Sequence, residues 1–377
     1  MILNQRLQAI APSVIRKIVS EASGIPGCIS LSIGEPEFDA PSPVIQKISS
    51  SLYSGNTHYP PNAGIKPLRH QVAQFINSRF HSHYSVDDTV ITIGSSEAIA
   101  VSLLAILNPG DEVIVPEPAF LLYRSQIEMF GGICISMDIS QNGFNISETQ
   151  LEALITPNTK AILYASPNNP SGTILSSSSL LALKRAALRH DLFLINDSIY
   201  DQLVYSDFFP TLAGDPDLTD RLIYISGMSK AYAMTGLRLG YAAAAGDVIR
   251  EMIKAHAFLV ASVPGCIQEG SLDIFDLSIQ DQLVSYRQRR DYLYQELTRI
   301  GMDVMLPEGA FYIFPSIRKY GLDDITFCRR LMVEGKLALI PSSAFGIDGY
   351  VRISYCYSMD ILKEGIARLE QFIRTLD

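Results

Sequence analysis

A chain of 377 residues, 47% hydrophobic and 18% charged, is long enough for one large or two medium domains with substantial cores. Its formal net charge of −9 and pI near 5.2 disfavour nucleic acid or an anionic membrane as a partner, leaving small ligands held by local positive groups. Cys28, Cys134, Cys266, Cys328 and Cys356 form no close pair and suggest neither disulfides nor a zinc site, and no apolar run is long enough to span a bilayer, so an unexported, cytoplasmic protein is expected.

The first thirty residues carry a helical pattern interrupted by Pro12, then residues 28–33 read as a short strand running into the rigid turn GEPEFDAP at 34–41. The run THYPPNAGIKPLR at 57–69 leads into a helix through Phe80, and Tyr59 there suits a packed turn aromatic. His81 and His83 lack a third ligand nearby and read as a solvated loop, so no metal is expected. Residues 89–100, TVITIGSSEAIA, form a strand, a small-residue turn and a helix. That arrangement leaves free N–H groups at a helix N-terminus after Gly94, with Ser95 and Ser96 offering hydroxyls to an anion or simply capping the helix. Residues 113–115 give another strand, ended by PEPAF at 116–120, where Phe120 fits a core aromatic as well as a stacking platform.

A strand over 160–165 enters SPNNPSGT at 166–173, in which Asn169 sits between two prolines with little freedom. After a helix over 180–190, residues 191–200 read as a buried strand with Asp197 at its carboxyl end, where ligands of open α/β sheets gather, and with Tyr200 one helical turn further on. Asp197 would equally suit a helix cap. Then comes SGMSKAYAMTGLRLGY at 226–241. Here Lys230 lies among small residues, and a confined, desolvated amine can stay neutral and form a Schiff base with an aldehyde, the chemistry of a pyridoxal phosphate anchor. Arg238 supplies a planar charged fork for a phosphate, beside the hydroxyls of Ser226 and Ser229. Helices are expected over 248–259, 285–301 and 325–335, with strand character over 308–314 and around Arg352. An arginine alternating with apolar residues on a strand must meet an anion, a salt-bridge partner or water.

Taken together, the segments around Gly34, Tyr59, Ser95, Phe120, Asn169, Asp197, Lys230, Arg238 and Arg352 resemble fold-type I pyridoxal phosphate enzymes, specifically the class I/II aminotransferases of the aspartate aminotransferase superfamily. The resemblance implies an α/β fold with a mainly parallel seven-stranded sheet flanked by helices in a large domain, plus a smaller α/β domain. The expected division is 1–45 joining the small domain, 46–275 as the large domain and 276–377 as the small domain. It further implies pyridoxal 5'-phosphate as cofactor, with catalytic roles for Lys230, Asp197 and Tyr200. Cofactor binding falls to Gly94, Ser95, Ser96, Phe120, Asn169, Ser226, Ser229 and Arg238 with those three, and to Tyr59 reaching across a homodimer interface. Gly34, Asn169 and Arg352 would hold the substrate, an amino acid or a 2-oxo acid.

The activity implied is transamination. The same residues also serve β-elimination of sulfur-containing amino acids, and a pyridoxal phosphate-binding sensor is a reading from another class. In one aspartate-using branch that this chain resembles, a lysine that recognises a distal carboxylate stands where this chain has Ser96, so the resemblance implies aspartate or glutamate less strongly without excluding them.

Overall fold

The computed structural model describes residues 3–376. Its strands are β1 (Ile29–Ser30), β2 (Thr89–Ile93), β3 (Glu112–Glu117), β4 (Ile133–Asp138), β5 (Thr159–Ala165), β6 (Phe193–Asp197), β7 (Leu222–Gly227), β8 (Leu239–Ala243), β9 (Tyr312–Ile313), β10 (Leu337–Ala338), β11 (Ile340–Pro341) and β12 (Val351–Ser354). Seven of them form one sheet in the order β2-β8-β7-β6-β5-β3-β4. Pairing is parallel except around β8, which runs antiparallel to both β2 and β7.

Apolar side chains along both faces explain why this sheet is an inner layer. β7 and β8 are buried along their whole length, and helices cover both sides. The helix Gly94–Ile106 is the deepest, with Ala98, Ile99, Val101 and Leu103 all buried in one cluster with Ile195, Ile223 and Ile225 of the sheet. A sequence of this kind, hydrophobic nearly all round, suits a helix packed between the sheet and a second helix, here Gly246–Val260.

The remaining strands make two small sheets, a parallel pair β1-β10 and an antiparallel β11-β12-β9. Leu31 belongs to the same hydrophobic cluster as Phe311, Phe327, Ile353 and Leu369, so the N-terminal segment packs with the C-terminal third of the chain.

The structure differs from the local expectations in four places. The strand expected over 28–33 pairs only at β1 because its continuation carries Gly34 and Pro36, and the one expected over 308–314 pairs only at β9. β4 was not expected; it is an edge strand with mixed exposure and lacks a continuous apolar signal. Tyr200 sits on a turn rather than a helix, held by the Asp201 N–H to Ser198 carbonyl hydrogen bond.

What the topology does for the rest of the molecule is local to one edge. The carboxyl ends of β2, β3, β5, β6 and β7 release the segments bearing Ser95, Phe120, Asn169, Tyr200 and Lys230 in turn. β8 starts at that same edge, with Gly240 opposite Gly227, which brings in Arg238 just before it.

Candidate active site

A cavity of about 230 Å³ opens at this edge, lined among others by Gly34, Ser95, Ser96, Phe120, Asn169, Asp197, Tyr200, Ser229, Lys230, Arg238 and Arg352. The fold therefore gathers these eleven positions, expected from sequence, around one space.

Lys230 follows the end of β7 and donates from Nζ to the carbonyl of Gly34 at 2.7 Å. Burial holds its amine down to about 8, helped by Arg352 and Arg238 and opposed by Cys356 and Glu35. An amine in that range has an appreciable neutral, nucleophilic fraction near neutrality.

Asp197 ends β6 with its carboxylate fully enclosed. Oδ2 accepts from the Tyr123 hydroxyl at 2.7 Å and Oδ1 from the Ile199 N–H at 3.2 Å. Burial pushes the carboxyl up, and these two donors together with Lys230 pull it back. Nearby, the hydroxyls of Tyr200 and Tyr312 lie 2.8 Å apart, both buried.

Arg352 projects from β12. Its Nη1 donates to Asn169 Oδ1 at 2.9 Å and its Nη2 to the carbonyl of Ser32 at 2.5 Å, while Nε is buried with no partner among the described residues. The guanidinium lies between two aromatic faces, 4.5 Å from the Tyr312 centroid and 5.0 Å from that of Phe345. A flat cation fixed this way, with a donor unspent, is suited to a carboxylate.

The remaining corner is an anion cup. The helix begins at Gly94, so its first N–H groups are free of intrahelical partners, and Ser95, Ser96, Ser229 and Arg238 border the same space. Gly94 is required there: its φ is +72°, and a Cβ on it would stand 2.5 Å from Arg238 Nη2. Glu97 braces this start by accepting from the Ile93 N–H at 2.5 Å, and the fully buried His256 holds its other oxygen through Nδ1 at 2.7 Å.

Two expected residues lie elsewhere. Ser226 faces away from the cavity; its hydroxyl is wholly buried and donates to the Ser198 carbonyl at 3.1 Å, because its place on β7 turns it into the protein. Tyr59 is 89% exposed and does not border the cavity of its own chain. Sequence reasoning missed Tyr123, Tyr312 and Glu97, whose partners come from remote segments or from the backbone. Among the described residues no group of three His, Cys, Asp or Glu side chains is placed to hold a metal ion, and no helix is long and apolar enough to cross a membrane.

A desolvated amine, an enclosed carboxylate, an anion cup and an arginine with a buried unpartnered Nε make up the donor set that pyridoxal 5'-phosphate calls for: an aldehyde, a pyridine nitrogen, a phosphate and a bound carboxylate substrate. The fold and this set define a pyridoxal phosphate enzyme of fold type I. The sequence model described as aminotransferase class I and II matches residues 26–369. The chain is 34% identical to aromatic-amino-acid aminotransferase 2 of Thermococcus litoralis and 33% identical to the aspartate aminotransferase of Pyrococcus abyssi, covering 99% of this chain and of each relative. The crystal structure of aspartate aminotransferase from Thermotoga maritima superposes with a TM-score of 0.94 at 33% identity, over 99% of this chain and 100% of that one. The chain belongs to the class I and II aminotransferases. It is a pyridoxal phosphate-dependent enzyme that moves an amino group between amino acids and 2-oxo acids.

Proposed function

We propose that Lys230 is both the anchor for the cofactor and the group that carries the substrate proton in this transamination. The observation that carries this reading is the Lys230 amine itself, buried at the cavity wall and held down to about 8. When bound, the cofactor supplies an aldehyde for amine exchange and a ring that withdraws electrons. Asp197 would face the ring nitrogen and keep its proton in place; Asn169 and Tyr200 would donate to the phenolic oxygen; Phe120 would cover one ring face. Gly94, Ser95, Ser96, Ser229 and Arg238 would hold the phosphate.

Arg352, steadied by Asn169, would take the substrate carboxylate and so fix the Cα–H bond, and Gly34 leaves room close by. With the carboxylate held, the proton rather than carbon dioxide would be the group set to leave, and the Lys230 amine would be the base that takes it. We assign substrates with uncharged side chains. In support, the cations bordering the cavity among the described residues are Lys230, Arg238 and Arg352, each given a role above, while Ile15, Ile99 and Leu122 line it too.

A homodimer is part of this reading, with Tyr59 reaching the partner's phosphate. Tyr53, Tyr59 and Phe258 are about nine-tenths exposed, and Asn62 Nδ2 donates to the Ala261 carbonyl at 2.7 Å, tying the turn after Tyr59 to the end of the helix bearing Phe258. Apolar groups gathered so openly favour a covering partner. A division at residues 45 and 275 is supported by the cluster that Leu31 shares mostly with residues from Tyr286 onward, although Ile199, Tyr200, Leu203 and Tyr205 join it too, and a cytoplasmic location is in keeping with five free cysteines.

Borohydride reduction of the loaded enzyme followed by peptide mass mapping tests the anchor. The added mass is expected on the peptide containing Lys230; its appearance on any other lysine would overturn the assignment.

A further inference from the structure

Tyr312 meets three parts of the site at once. Its hydroxyl lies 2.8 Å from that of Tyr200, its ring carries the Arg352 guanidinium at 4.5 Å, and a Cβ built on Gly34 would fall 1.8 Å from its oxygen. β-sheet register explains the placement. Tyr312 on β9 pairs with Ser354 on β12, and Ser354 is two residues from Arg352, so tyrosine and arginine are diagonal neighbours on one face. Gly34 thus lacks a side chain because Tyr312 occupies its space.

The two hydroxyls are not equivalent. A cation over the Tyr312 ring draws electron density from it and makes its O–H the stronger donor. Tyr200 instead meets Phe311 and Tyr312 edge to face. Burial pushes both hydroxyls up, that of Tyr312 to about 12 and that of Tyr200 well above the ordinary phenol range, with Arg352 opposing in each case. Either hydroxyl could donate in this pair, and the cation over the Tyr312 ring favours Tyr312 as the donor, which leaves the Tyr200 proton to face the cavity.

We propose that Tyr312 is a positioning residue acting on both halves of the site: its hydroxyl turns the Tyr200 proton toward the cofactor's phenolic oxygen, and its ring holds Arg352 flat for the substrate carboxylate. This rests on the roles given above to Tyr200 and Arg352. Chained hydrogen bonds strengthen one another, so loss of the first weakens the second.

The test is a pH titration of the bound cofactor's absorbance, together with steady-state kinetics, in Tyr312→Phe, Tyr312→Leu and Tyr200→Phe. Tyr312→Phe keeps the ring and is expected to raise the absorbance midpoint by about 0.3 to 1 pH unit while leaving KM within about twofold. Tyr312→Leu is expected to raise the midpoint likewise and KM about tenfold; Tyr312→Met takes its place if the leucine variant does not fold. Tyr200→Phe should move the midpoint further than either. If it does not move it at all, the role of Tyr200 fails. A midpoint that moves in Tyr200→Phe but not in Tyr312→Phe overturns the hydroxyl half of the inference alone, and an unchanged KM in Tyr312→Leu overturns the ring half.

Discussion

The Tyr123 hydroxyl donates to Asp197 Oδ2 at 2.7 Å, across 74 positions of chain, and both side chains are buried. The donor eases a carboxylate that burial pushes toward its neutral form. In Tyr123→Phe that relief goes: the Asp197 carboxyl rises further, and the acid limb of the kcat profile is expected to shift to higher pH. Loss of a charged hydrogen bond should also cost about 1 to 3 kcal/mol of stability, measured by denaturant unfolding.

As the proposed anchor, Lys230 is expected to set the pH dependence of cofactor capture. A base whose affinity for protons is lowered holds more of the neutral form at a given pH, so capture of pyridoxal 5'-phosphate by cofactor-free enzyme should quicken as pH rises through about 8 and level off above it. Stopped-flow absorbance follows this directly, and each unit below the midpoint should slow capture about tenfold. Lys230→Ala is expected to show no capture and no turnover.

Arg352 offers two parallel donors to a carboxylate, which a lysine cannot reproduce. Arg352→Lys is expected to raise KM about 10- to 100-fold, with a smaller effect on cofactor affinity. In the unaltered enzyme, kcat/KM for phenylalanine or leucine should exceed that for aspartate; a preference for aspartate would refute the uncharged-side-chain assignment.

Gly240 gives a steric test of the anion cup. A Cβ there would stand 2.4 Å from the Gly94 carbonyl carbon and 2.6 Å from the Ser95 nitrogen, both backbone atoms with little freedom to yield. Gly240→Ala should destabilise the fold by about 1 to 3 kcal/mol and weaken cofactor binding in an equilibrium titration. Gly236→Ala is the control: nothing lies within 4 Å of its Cβ position, and a change within about 0.5 kcal/mol is expected.

Much of the molecule was legible in the sequence because the chemistry sits where strands end. Asn169, Asp197 and Lys230 each follow an apolar run, and such runs announce both the strand and the edge at which its loop emerges. Ser226 misled because nearness to Lys230 in sequence says nothing of the face a strand residue occupies; its hydroxyl reaches Ser198 instead. The Tyr200–Tyr312 contact spans 112 positions and joins β9 to the turn that follows β6 of the central sheet, a relationship no local pattern encodes. β4 escaped notice for a similar reason, since an edge strand need not be apolar on either face.

The antiparallel placement of β8 beside β7 has a consequence for how the molecule is assembled. Parallel neighbours in this sheet need long crossovers, whereas β7 and β8 are joined directly by the segment carrying Lys230 and Arg238, with Gly227 facing Gly240. Closing so short a loop costs little chain entropy. The Lys230 amine and the Arg238 guanidinium therefore sit on one hairpin, with little chain between them.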